Sequence, residues 1–196
     1  MTQDLILQHI GKHVSLDEEE AACFTSLLQE EEVPKKGLIL KEGQLCRTIS
    51  FVNAGAMRAY HINKEGKETT VMFALPDWWI TDMYCFINVQ PAMLYIEAIE
   101  SSSIFQLQKD DLDKLYLKVP KFERFFRILM QNAYIREQLR MIEKLSLPAE
   151  ERYIHFLDKY PRIAEKITQK QIASYLGITP EFLSTIRANR AKRIIS

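Results

Sequence analysis

The stretch Thr168–Arg190, TQKQIASYLGITPEFLSTIRANR, constrains the chain most, because a helix start, a stop and a second start fall within a few residues. Thr168 followed by Gln171 is a capping-box pattern, and Ile172, Ala173 and Leu176 then share one helical face. Gly177 can turn left-handed without a steric penalty. Thr179 and Pro180 supply an N-cap and a first-turn proline that restart a helix at once. The spacing predicts a helix-turn-helix. Ala173 is small where the two helices cross, and Ile178, Leu183 and Ile186 lock the second onto the first.

At about 100° per residue, Phe182, Leu183 and Ile186 are expected on the buried face of the second helix, with Glu181, Ser184, Thr185 and Ala188 opposite. That outer face suits the major groove of DNA: Glu accepts from a cytosine amino group, and Ser or Thr contacts either kind of base edge. Arg187, Arg190, Lys192 and Arg193 flank it with charge for phosphates. The expected DNA-binding set is Thr168, Gln169, Thr179, Pro180, Glu181, Ser184, Thr185, Arg187, Arg190 and Lys192. The plainer alternative is a helical hairpin packing on a neighbour.

Charge is distributed to match. The 196 residues have zero formal net charge, yet residues 1–161 carry 19 Lys and Arg against 24 Asp and Glu, while residues 162–196 carry 7 against 2. A basic tail on an acidic body implies that only the tail meets a polyanion. No apolar run approaches a membrane span, and MTQDLILQHI lacks the marks of a signal peptide, so a cytoplasmic protein without a membrane partner is expected. Cys23, Cys46 and Cys85 are odd in number and far apart, which indicates neither a disulfide framework nor a metal site.

Upstream, residues 2–13 read as a short helix, and Ser15 with Glu18 is expected to open a second that runs to about Glu31. The acidic runs Glu18–Glu20 and Glu30–Glu32 read as solvated helix surface. From Lys36 to Gln108, β-branched and aromatic runs broken by Gly and Pro form an all-β pattern, with Asn63–Gly66 as a hairpin tip. Lys109–Lys118 returns to helix. Residues 121–145 form the longest helical pattern, its apolar stripe running through Phe122, Phe125, Phe126, Leu129, Ala133, Leu139, Ile142 and Leu145. A stripe this long predicts pairing of two copies along it, with internal packing against the β region as the alternative. Pro148 opens a further helix through Leu157, and Tyr160–Pro161 mark the joint before the helix-turn-helix.

N-terminal helices, a β-roll, one long helix and a terminal helix-turn-helix, in that order, resemble the Crp/Fnr family of bacterial transcription regulators. KKGLILKEGQ looks like the family's first roll strand with its Gly43 turn, SFVNAGAMRAYHINKEGKE like its central hairpin with Gly55, and ITQKQIASYLGITPEFLSTIRA like its DNA unit. The resemblance implies an α+β fold: an N-terminal double-stranded β-helix, a jelly-roll-like β-roll, with flanking helices over residues 1–120, a long dimerisation helix over 121–146 and a small all-α helix-turn-helix domain over 147–196. Duplex DNA, a second copy of the chain and RNA polymerase are the partners it implies.

Two departures stand out. Cyclic-nucleotide-binding members hold the ligand with a Gly-Glu pair and an Arg-Ser pair; here Thr81 and Asp82 fall at the first, Ala92 and Met93 at the second. A buried phosphate without a cation or amide costs several kcal/mol, so the expected effector is an unknown small molecule other than cyclic AMP, or none, and no cofactor is implied. Positions matching the family's pocket are Trp79, Thr81, Asp82, Met83, Tyr84, Phe86 and Met93, with Glu137 and Gln138 from the long helix; the alternative is that they fill the core. Many members also follow the reading helix with a β-hairpin wing, whereas this sequence stops six residues after Arg190, which predicts salt-sensitive DNA binding. A sensing protein that does not bind DNA is the competing function. An enzyme on a cupin-like roll would need about three histidines converging on a metal, and of His9, His13, His61 and His155 only His61 falls in a predicted strand.

Overall fold

A computed structural model describes residues 2–195. Helices α1 (Asp4–Gly11) and α2 (Glu18–Thr25) precede strands β1 (Gln29–Val33), β2 (Leu38–Leu40), β3 (Thr48–Ala54), β4 (Met57–Ile62), β5 (Glu68–Ala74) and β6 (Trp78–Ile80). A short helix α3 (Met83–Asn88) leads to β7 (Tyr95–Ala98) and β8 (Ser102–Gln108). The remainder is helical: α4 (Lys109–Lys118), α5 (Lys121–Ser146), α6 (Ala149–Lys159), α7 (Pro161–Ala164), α8 (Gln169–Leu176) and α9 (Pro180–Ile195).

The strands form two four-stranded sheets, ordered β1-β8-β3-β6 and β2-β7-β4-β5, and every pairing is antiparallel. Alternation of apolar side chains turns Ile49 and Phe51 of β3, Phe105 and Leu107 of β8, Met57 and Ala59 of β4 and Ile96 of β7 into one core between the sheets. At the β3–β4 corner Gly55 has φ +87°, and a Cβ there would meet Ser102 Oγ at 2.3 Å and the Ser101 carbonyl oxygen at 2.7 Å, so only glycine fits. Asn63–Gly66 forms the β4–β5 tip, where Asn63 Oδ1 accepts from the Glu65 and Lys67 amides.

The second helix starts and ends differently from expectation. Asp17, not Ser15, is its N-cap: Asp17 Oδ1 accepts from the Glu20 amide at 2.9 Å and Glu20 Oε2 accepts from the Asp17 amide at 3.0 Å. The helix stops at Thr25, and Glu30–Glu32 belong to β1, opposite Phe105, Ile104 and Ser103 of β8. β1 is the outer strand of its sheet, and such a strand tolerates consecutive charges because they stay in water.

The apolar stripe of α5 also divides. Phe122, Phe125 and Phe126, expected at a dimer interface, lie inside the core of their own subunit, Phe122 stacking on Phe24 of α2 at 4.8 Å and Phe126 meeting Trp79 of β6 at 5.5 Å. Leu129 packs on the same core. Further along, Tyr134, Ile135, Leu139, Met141, Ile142 and Leu145 are exposed.

A second apolar cluster joins the outer face of the roll to the C-terminal helices. Ala56, Phe73 and Ile99 meet Tyr153, Phe156, Tyr160, Ile163, Ile172, Leu176, Leu183 and Ile186. Phe73 alone touches the rings of Phe156 at 6.2 Å and Tyr175 at 5.2 Å. Burying one such ring stabilises by roughly 1.5–3 kcal/mol, which ties the helical unit to the β-roll.

Candidate nucleic-acid interface and sensor cavity

The turn between α8 and α9 follows from local chemistry. Thr168 Oγ1 accepts from the Gln171 amide at 3.2 Å, and Gln171 Oε1 accepts from the Thr168 amide at 2.9 Å. Gly177 adopts φ +70°, ψ +34°, and the amides of Gly177 and Ile178 return to the carbonyls of Ser174 and Ala173, a Schellman closure. Arg152 of α6 donates from Nη1 to the Leu176 carbonyl, which satisfies another helix-end acceptor. Thr179 Oγ1 then accepts from the Phe182 amide at 3.2 Å to open α9 behind Pro180.

Leu183 and Ile186 are buried against α8, and Glu181, Ser184, Thr185, Arg187 and Ala188 are exposed. The Thr185 hydroxyl donates to the Glu181 carbonyl oxygen at 3.1 Å. Phe182, expected on the buried face, is instead 51% exposed, because Leu183, Ile186 and half-buried Arg190 already fill the contact with the rest of the unit. Among the expected phosphate contacts, Arg187 and Lys192 are exposed. Arg190 Nη1 is buried without a partner among the described residues, and Arg193 Nη1 pairs with Glu150 of α6 at 3.0 Å. Thr168, Gln169, Thr179 and Pro180 lie exposed at the two helix starts, and so does Lys170, a cation at the start of α8 that spacing alone did not single out.

One contact between the helical unit and the roll has no sequence signature. Ser174 Oγ accepts from the Thr70 amide at 2.7 Å and donates to the Glu68 carbonyl oxygen at 2.9 Å, so α8 completes the free side of β5, the outer strand of its sheet. Beneath the same unit lies an ion network: Arg58, 5% exposed, pairs with Glu97 at 2.6 Å and Glu68 at 2.9 Å and covers the Tyr60 ring at 4.0 Å. Burial, with Glu97 alongside, pushes the Tyr60 phenol up to about 12.

Between the roll and α5 is a cavity of about 450 Å³. Its wall is mainly apolar, from Ile49, Ala59, Val71, Met72, Ile80, Leu94 and Met130, and it includes the expected Trp79, Thr81, Met83 and Glu137. Leu129 and Ala133, expected to pair with a second copy, also line it. Arg136 reaches the wall over the Trp78 ring at 4.9 Å and stands 3.9 Å from Glu137, so the two charges offset each other. His9 donates or accepts through Nδ1 at 2.8 Å from Asp77, which also pairs with Lys12; burial holds the imidazole below its ordinary value despite the pull of Asp77.

Five expected pocket residues lie elsewhere, and of these Phe86 is packed into the core. Tyr84 and Met93 face solvent, and Gln138 lines a separate cleft of about 530 Å³ between α5, α6 and α8. Asp82, 2% exposed, spends its carboxylate internally: Oδ1 caps α3 through the Cys85 amide, and Oδ2 accepts from the Met93 and Leu94 amides at 2.8 and 3.1 Å. These two amides and the absent arginine are what a ligand phosphate would need, so this locus does not fit a cyclic nucleotide held in the usual manner. The Thr81 hydroxyl likewise donates to the Thr48 carbonyl oxygen at 2.8 Å. Among the described residues no three His, Cys, Asp or Glu side chains gather where they could hold a metal ion, and no helix is long and apolar enough to cross a membrane.

Residues 30–118 match the family model of the cyclic nucleotide-binding domain. The regulatory protein HlyX of Actinobacillus pleuropneumoniae is 27% identical over 186 residues, covering 88% of this chain and 76% of that protein. In structure the chain is similar to FixK2 from Bradyrhizobium japonicum, with TM-score 0.71, 21% identity and 85% of each chain covered. A transcriptional regulator of the Crp/Fnr family from Eubacterium rectale superposes with TM-score 0.71 at 17% identity over 90% of this chain and 85% of that one. The likeness to members of the Crp/Fnr family thus runs from the roll through the helix-turn-helix, and the fold is theirs.

Proposed function

We propose that the chain is a homodimeric, sequence-specific DNA-binding transcription regulator, with residues 1–120 as sensor, 121–146 as dimerisation helix and 147–196 as the DNA unit. The observation that carries this reading is the exposed face of Glu181, Ser184 and Thr185 on a capped helix-turn-helix, with Arg187 and Lys192 beside it. Two copies joined along the distal part of α5 would present two such faces, for half-sites about 34 Å apart. Occupancy of the duplex then recruits or excludes RNA polymerase.

The anion locus of the roll is filled from within by Asp82, which favours an effector other than cyclic AMP, or none. β5 supplies a route from cavity to DNA unit, since Val71 and Met72 line the cavity while neighbouring Thr70 is bonded to Ser174 of α8. A ligand that favours one position of β5 would bias one placement of the reading helices.

Selection of binding sites from random duplexes tests the reading. Substituting Glu181, Ser184 or Thr185 should change the selected bases, whereas Arg187→Gln or Lys192→Gln should weaken every site alike and lower the salt slope by about one each. Failure to enrich any duplex at low salt would overturn it.

A further inference from the structure

We propose that Phe182 reads sequence directly, by packing its ring on the C5-methyl of a thymine in the major groove. The inference rests on the DNA-reading function above. The Thr179 hydroxyl fixes the Phe182 amide in the first turn of α9, and the first turns of a reading helix are the ones that reach base edges. Its ring is half exposed in a subunit whose other phenylalanines in this unit and the roll core are buried, and no ring or cation stacks on it among the described contacts.

Phe182, Thr185 and Asn189 follow one another at three and four residues, so they form one exposed ridge along the margin of the Glu181–Ser184–Ala188 face. An apolar ring on that margin has one matching feature in the major groove, the thymine methyl, because every other base edge there presents hydrogen-bonding groups. Its neighbour Glu181 complements it by accepting from a base amino group. From Pro180 to Ile186 there is no Arg, Lys, Asn or Gln, so the paired acceptors of guanine find no two-pronged donor in these turns. The recognised half-site should therefore contain an essential thymine beside a cytosine or adenine.

Once a site has been selected, each thymine of the half-site is replaced in turn by deoxyuridine, which lacks only the methyl, and affinity is measured by anisotropy with the full chain at fixed salt. One replacement should weaken the unaltered protein by about fourfold, the loss of one buried methyl. With Phe182→Ala the same replacement should cost nothing, and with Phe182→Leu part of the penalty should return. The exposed ring makes both variants fold normally, which a melting curve checks. An unchanged uracil penalty in Phe182→Ala overturns the inference alone, and a uniform weakening of all sites does the same by assigning the ring to a protein contact. A chain that selects no duplex overturns the regulator reading and this inference with it.

Discussion

The two halves of α5 share one helix and one apolar period but are covered by different things. In the first half Phe122, Phe125 and Phe126 are fully or nearly fully buried by the roll. In the second, Tyr134 is 67% exposed and Leu145 80% exposed, and the side turned toward the same subunit is polar, with Arg136 over Trp78 and Arg140 over Tyr175 at 5.2 Å. A stripe in sequence thus promises burial without naming the surface that provides it. Where the chain's own core reaches, it takes the ring; beyond that reach, the apolar side chains stay exposed.

The contrast can be broken most forcefully at Phe125. Phe125→Ala should cost about 3–5 kcal/mol in a denaturant melt, since the cavity left inside the roll cannot collapse, and it should leave the self-association of whatever remains folded unchanged. Leu139→Glu with Ile142→Glu should do the reverse. Sedimentation velocity should show at least a thirtyfold weaker dimer, about 2 kcal/mol, with the melt of the dilute protein preserved; a dimer that survives would mean the distal half is covered by something else. Ser174→Ala sharpens the boundary between the halves, because α8 steadies the distal half through Tyr175. It should cost about 1 kcal/mol and speed hydrogen exchange at the Thr70 amide.

The smallest effect concerns His9, whose ring meets Phe125 at 5.7 Å. Burial lowers its folded value below the ordinary 6.5, so the unfolded chain binds the proton more readily. Its contribution is present above the unfolded value and is lost as pH falls from there through the lowered folded value. Melting temperature should decline over that window, and His9→Asn should flatten the decline.

What could be read in the sequence was local. The caps at Thr168, Gly177 and Thr179, the Asn63–Gly66 tip and the bounds of α4 depend on partners within four residues, so spacing alone reveals them. The start of α2 was ambiguous because Ser15–Glu18 and Asp17–Glu20 offer the same motif in two frames. Glu30–Glu32 read as helix surface because their strand character comes from β8, far away in sequence. Asp82 matches a ligand position in sequence, but its carboxylate is claimed by the Met93 and Leu94 amides, partners 11 and 12 residues away. Periodicity places Phe182 on a face that Leu183, Ile186 and half-buried Arg190 already fill. The Ser174 bond to Thr70 spans 104 residues and leaves no trace in either segment.

That bond also shields an edge of the sheet. If the DNA unit lifts from the roll, the backbone of Thr70 and Glu68 is uncovered on an outermost strand, a ready template for another chain. Ser174 therefore guards this edge, and a substitution that loosens it should raise the tendency of the chain to aggregate.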